Sequence, residues 1–116
     1  MEQNPIKVPT FDQMMNPLIK AIRKLGGAGS VNEINEEVIK ILNLPNDVSK
    51  KLHRNKPSTQ TEVAYRLTWA RTYLKKYGIL ENSSWGVWSL SIKEININDV
   101  DPNEIVKKVR EMSRKK

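Results

Sequence analysis

Apolar positions recur at helical spacing in four stretches of the chain and alternate in strand fashion in a fifth. Phe11, Met14, Leu18, Ile22 and Leu25 lie three or four residues apart, which predicts a turn and then a helix reaching about Leu25. Thr10-Phe11-Asp12-Gln13 has the form of a capping box, and Asn16-Pro17 is a second start signal. Gly26-Gly27 predicts the end of that helix, because glycine enters the left-handed region at little cost. Residues 28–31 read as a short strand. Ser30-Val31-Asn32-Glu33 is another capping box, opening a helix with the stripe Ile34, Val38, Ile41 and Leu42 and closing at Leu44-Pro45-Asn46-Asp47. The polar stretch 45–60 has room for one helical turn around residues 48–52. Residues 61–77 carry the most regular pattern: Val63, Leu67, Ala70 and Leu74 share one face, and Gly78 stops the helix. Residues 79–82 and 87–90 read as strands joined by a four-residue loop, Ser83-Ser84-Trp85-Gly86. Asp101-Pro102 caps a last helix with Ile105, Val109 and Met112 on one side.

Helix, short strand, helix, helix and hairpin is the element order of a winged helix-turn-helix. The expected class is therefore α+β, mainly α: a three-helix core with a β-hairpin wing, plus a C-terminal helix. Residues 1–9, with Pro5 and Pro9, read as an extended arm, 10–92 as the domain, and 93–116 as a linker and a basic amphipathic helix. That helix would serve as a linker toward a further domain or as a homodimer contact. In winged helices the third helix enters the major groove and the wing touches the flanking DNA.

Charge falls on the same third helix. The chain has 116 residues and a formal net charge of +7. Residues 50–76 hold eight bases (Lys50, Lys51, Arg54, Lys56, Arg66, Arg71, Lys75, Lys76) against one acid, Glu62, and so carry all of that excess. Tyr65, Trp69 and Tyr73 interleave with those bases, the footprint expected of a nucleic-acid surface. With 38% hydrophobic and 28% charged residues the chain suits one small folded domain. There is no cysteine, which removes disulfide and thiolate chemistry and permits a reducing cytoplasmic location. The single histidine, His53, reads as a surface residue and makes a metal site improbable. No secretory signal and no transmembrane run is visible.

Enzyme readings fail early. No glycine-rich phosphate cradle and no nucleophile elbow is present. Glu104-Ile105-Val106-Lys107 lacks the acid and acid-x-Lys spacing of restriction nucleases, and Glu36 and Glu37 face different sides of a helix. No catalytic residue and no cofactor is expected.

The candidate DNA-binding residues divide by position. Lys50, Lys51, Arg54 and Lys56, with Ser58 and Gln60, precede the third helix and suit backbone phosphates. Thr61, Tyr65, Thr68 and Thr72 lie opposite the apolar stripe, where hydroxyls reach phosphates or base edges. Arg66 and Arg71 could fork onto phosphate or guanine; the competing role for Arg66 is an i,i+4 ion pair with Glu62. Lys75 and Lys76 either complement the helix dipole or meet a phosphate. Trp69 has two readings, packing beside the stripe or stacking on a base. Trp85 sits at the wing tip, as a wedge against a sugar or base step or folded back on the hairpin.

Two stretches resemble a known family. Val8-Pro9-Thr10-Phe11-Asp12-Gln13-Met14-Met15-Asn16-Pro17 is one; the other runs from Tyr65-Arg66-Leu67-Thr68-Trp69-Ala70-Arg71-Thr72-Tyr73-Leu74-Lys75-Lys76 through Gly78-Ile79-Leu80-Glu81-Asn82 to Gly86-Val87-Trp88. Together they are similar to the N-terminal domain of Mrr-type modified-DNA restriction proteins, over about residues 6–92. The resemblance implies a winged-helix module that binds double-stranded DNA, methylated or not, and in that family precedes a nuclease domain. Such a nuclease domain finds no match in this sequence, so the chain reads as the recognition part of a longer restriction-type protein. Gln60 and Trp85 stand where the family often has basic residues. The rival classes are a protein–protein interaction or dimerisation module and an RNA-binding one.

Overall fold

A computed structural model of the chain describes residues 7–53, 60–91 and 99–114. It is α+β and mainly helical: α1 (Met15–Lys24), β1 (Ala28–Ser30), α2 (Val31–Leu42), α3 (Asn46–Ser49), α4 (Glu62–Tyr77), β2 (Leu80–Ser84), β3 (Val87–Leu90) and α5 (Pro102–Arg114). The strands form one antiparallel sheet in the order β1-β3-β2. No helix among the described residues is long and apolar enough to cross a membrane.

The local start and stop signals act as sequence chemistry requires, except at Asn16 and at Thr10. Ser30 Oγ accepts the Glu33 N–H and Glu33 Oε1 accepts the Ser30 N–H (3.2 and 2.9 Å), so the capping box of α2 is complete. Gly26, Gly27 and Gly78 all have positive φ, and Gly78 closes α4. Asn16 departs from its expected role. Helix α1 begins at Met15 without a side-chain cap, and the Asn16 amide instead brackets the backbone of Val100, accepting its N–H at 2.8 Å and donating to its carbonyl at 3.1 Å. Of the expected box at Thr10, only the bond from the Thr10 N–H to Gln13 Oε1 (3.0 Å) forms, closing the turn before α1.

The single turn of α3 lies at residues 46–49, earlier than its expected place, because Asn43 already ends α2 in the left-handed region (φ 52°) and Pro45 starts the next turn. The hairpin loop is also shorter than expected. Ser84 pairs with Val87, so only Trp85 and Gly86 connect the strands, and a register shift at Ser83 takes up the extra residue as a bulge. Gly86 sits in this loop with φ 76°, where glycine is favoured.

One core joins all of these layers. Leu18, Ile19 and Ile22 of α1, Ile34 and Val38 of α2, and Val63, Leu67, Ala70 and Leu74 of α4 are fully buried. Ile79, Leu80 and Leu90 close it from the sheet side. Ile105 and Val109 of α5 are buried in the same cluster at 1% and 2% exposure. Tyr77 Oη donates to Glu104 Oε2 at 2.9 Å, tying the end of α4 to the start of α5. The last helix is thus seated on α4 rather than standing off the domain.

Candidate nucleic-acid interface

Helix α4 organises the surface. Thr61 caps it by accepting the Ala64 N–H at 3.1 Å, and its buried stripe fixes the rotation of the remaining faces. Around the helix from the core come a flank against the sheet, an open face, and a flank against the N-terminal turn.

Arg71 occupies the sheet-side flank and is 5% exposed. Its guanidinium donates to Asn35 Oδ1 of α2 at 3.0 Å and to Thr68 Oγ1 at 3.2 Å. It also lies 5.8 Å from the centre of the Trp88 ring. Lys75 approaches the same ring at 5.6 Å and donates to Asn82 Oδ1 of β2 at 3.0 Å. Two cations one helical turn apart therefore join α4 to the hairpin through one indole. Burial lowers the Arg71 pKa from its ordinary value, which lies so far above neutrality that the charge remains.

Thr61, Thr68 and Thr72, with Lys75 and Lys76, line the open face. The Thr68 and Thr72 hydroxyls donate back to the carbonyls of Ala64 and Thr68, each at 2.9 Å. In that rotamer Thr72 presents its acceptor outward, suited to a base amino group, whereas Thr68 Oγ1 already accepts from Arg71; meeting a phosphate requires either hydroxyl to rotate. Lys76 is exposed beside the groove between α4 and α5 that Val109 and Met112 line.

Arg66 takes the ion-pair role. Its Nε donates to Glu62 Oε2 at 2.6 Å, and its Nη1 to the carbonyls of Val8 and Pro9 at 2.8 and 3.1 Å, fastening the arm to α4. The other Glu62 oxygen lies 2.7 Å from His53 Nδ1. His53 is half-buried, with its ring stacked on Tyr65 (3.7 Å between centres, 18° between planes), rather than a plain surface residue. Burial of Glu62 pushes its pKa up, but hydrogen bonds from His53 and Arg66 and their positive charge outweigh this and hold the carboxyl below its ordinary 4.5.

This clamp sits at the foot of the basic stretch. The His53 N–H donates to the Gln60 carbonyl (3.0 Å), the Glu62 N–H to the Lys51 carbonyl (2.7 Å), and Leu52 bridges Thr61. Lys50, Lys51 and Gln60 are exposed there. Arg54, Lys56 and Ser58 lie outside the described residues.

Beyond Tyr65, Trp69 and Tyr73 continue along α4, and with Phe11 they line a groove of about 470 Å³. At the hairpin tip Trp85 is 99% exposed. Among the described residues no group of three or more metal-ligating side chains occurs.

Of the expected contact residues, the structure therefore leaves Thr61, Thr68, Thr72, Lys75 and Lys76 on accessible parts of α4 and Gln60, Lys50 and Lys51 exposed near its start, stacks Tyr65 on His53, turns Arg71 inward, and commits Arg66 to Glu62 and the arm. Sequence reasoning missed Asn35, Asn82 and the His53–Glu62 pair, whose partners are 36, 7 and 9 residues away. Neither a curated protein nor a solved structure matches the chain. The Mrr N-terminal domain matches residues 11–97, about three quarters of the 116.

Proposed function

We propose that this chain, which belongs to the Mrr N-terminal domain family, is a winged-helix module that binds double-stranded DNA without chemistry of its own. Helix α4 would lie in the major groove with Thr61, Thr68 and Thr72 toward the bases. The β2–β3 hairpin would act as the wing, its exposed Trp85 reaching the flanking sugar-phosphate. Lys50, Lys51, Lys75 and Lys76, with Arg54, Lys56 and Ser58 of the preceding segment, would hold phosphates.

The observation that carries this reading is the coincidence of charge and shape. The segment containing all of the net charge of +7 is the one whose helix leaves a hydroxyl- and lysine-lined face uncovered beside an exposed hairpin tip. Family membership adds an association with restriction systems. Arg66 and Arg71 belong to the scaffold in this reading: Arg71 is buried on Asn35 and Thr68, and three of the five Arg66 donors are spent on Glu62 and the arm.

Replacing Lys50, Lys51, Arg54 and Lys56 together by Ala tests it by fluorescence anisotropy on labelled duplexes. Loss of about four phosphate contacts should weaken all duplex sequences alike, by roughly 100-fold or more at moderate salt. Unchanged affinity would sink the proposal. Loss confined to one sequence would make these residues base readers.

A further inference from the structure

We infer that the aromatic groove beside the open face of α4 is a stacking site for one nucleobase swung out of the duplex. The inference rests on the DNA reading above and adds a site to it. The groove is lined by Phe11, Tyr65, Trp69 and Tyr73, with Glu62 and Arg66 along one side, and its volume of about 470 Å³ is within the range of small-ligand pockets.

Its rings are unequally satisfied. Tyr65 is stacked on His53, and Phe11 meets Tyr73 at 4.9 Å with the planes tilted by 53°. Trp69 lies between the two tyrosines, four residues from each, so one helix stripe carries all three. Among the described residues it meets no ring and its indole N–H has no hydrogen-bond partner, and it is 45% exposed. A large ring left uncovered inside a concavity calls for a flat ligand.

The charges select which flat ligand. Aromatic rings around a carboxylate would suit a methylated ammonium. Here both Glu62 oxygens are already engaged, one by His53 Nδ1 at 2.7 Å and the other by Arg66 Nε at 2.6 Å, so an incoming cation gains little. A neutral π-surface attached to phosphates fits instead. The exposed Lys51 is joined to Glu62 through its own backbone carbonyl at one end of the stripe, and the exposed Lys76 follows Tyr73 by three residues at the other. Thr68 and Thr72 of the open face adjoin Trp69 and Tyr73 in the chain, so a base leaving a duplex held there has a short path to the groove. Bases in mismatched pairs leave the stack most readily, which gives the site a measurable preference.

Affinity is compared for a matched duplex and one with a central mismatch, using the full chain and its Trp69→Leu and Trp69→Phe variants. Leu keeps apolar bulk and removes the π-face; Phe keeps a ring. The wild type should prefer the mismatch by about tenfold, a usual value for one base stacked on an aromatic residue. Trp69→Leu should reduce the preference to within about twofold of unity, and Trp69→Phe should retain most of it. With 2-aminopurine at the mismatch, fluorescence should fall on binding the wild type, as the loosely stacked base moves onto the indole, and change little with Trp69→Leu. Equal binding of both duplexes by the wild type overturns the inference while leaving the DNA reading intact. A lower thermal midpoint for Trp69→Leu with an unchanged preference assigns the groove to packing within the chain and overturns it too. No binding to either duplex overturns both.

Discussion

Arg71 shows how a single side chain can be claimed by the scaffold although its sequence context points outward. Its guanidinium links α2 through Asn35, the open face through Thr68 and the hairpin through Trp88. Truncating it strands the Asn35 amide oxygen and opens a cavity under the sheet. Arg71→Ala should therefore cost about 2–3 kcal/mol in urea unfolding, whereas loss of a surface contact would stay within about 0.5 kcal/mol. The partnership was not legible, because Asn35 is 36 residues away and nothing in the local spacing names it. The Arg66–Glu62 pair was legible, since side chains four apart on a helix meet. Glu62 adds a pH dependence of known sign. Its folded-state pKa lies below the ordinary 4.5, so its contribution is present above that value and is lost as pH falls through the folded one. The unfolding free-energy difference between wild type and Glu62→Gln should accordingly shrink as pH is lowered from about 6 to about 3. A constant difference across that range would remove the carboxylate from the stability of the clamp.

At the scale of elements, signals contained within a few residues mostly predict what forms, Asn16 and half of the Thr10 box excepted, whereas signals that depend on pairing do not. The capping box at Ser30, the glycine stop at Gly78 and the buried stripe of α4 follow from local geometry alone. The length of the hairpin loop depends on which residues pair across it; the bulge at Ser83 shortens that loop to two residues, and sequence does not announce a bulge. The destination of α5 was hidden for a related reason. Its stripe of Ile105, Val109 and Met112 declares an apolar face without saying what covers it. In the structure Ile105 and Val109 enter the common core while Met112 stays 49% exposed. Although α5 lies beyond the matched region 11–97, it is structural for this chain. Ile105→Ala should cost about 3 kcal/mol in chemical denaturation, as deletion of a buried aliphatic side chain does. A cost below about 0.5 kcal/mol would mean that the helix is not docked in solution.

For the whole molecule the decisive property is where the charge sits. Outside residues 50–76 the acids and bases cancel in sum, so that segment carries the whole excess, although the C-terminal helix also ends in bases. That much was readable from sequence, as was the helix within it. The division of the region was not: tertiary packing takes Arg66 and Arg71 for the fold and leaves the lysines, the threonines and the hairpin tip for a partner. The proposed winged-helix reading gives these leftover groups one task, holding a duplex by its phosphates while α4 meets base edges. Each phosphate so neutralised releases counterions, and affinity should register their number. The most direct measurement is the dissociation constant of the full chain for a duplex across a salt series at fixed pH. With roughly five phosphates engaged, the logarithm of affinity should fall against the logarithm of salt with a slope of about −4.5, a loss of about 500-fold between 50 and 200 mM. A slope near zero, or no binding at the lowest salt, would contradict the account.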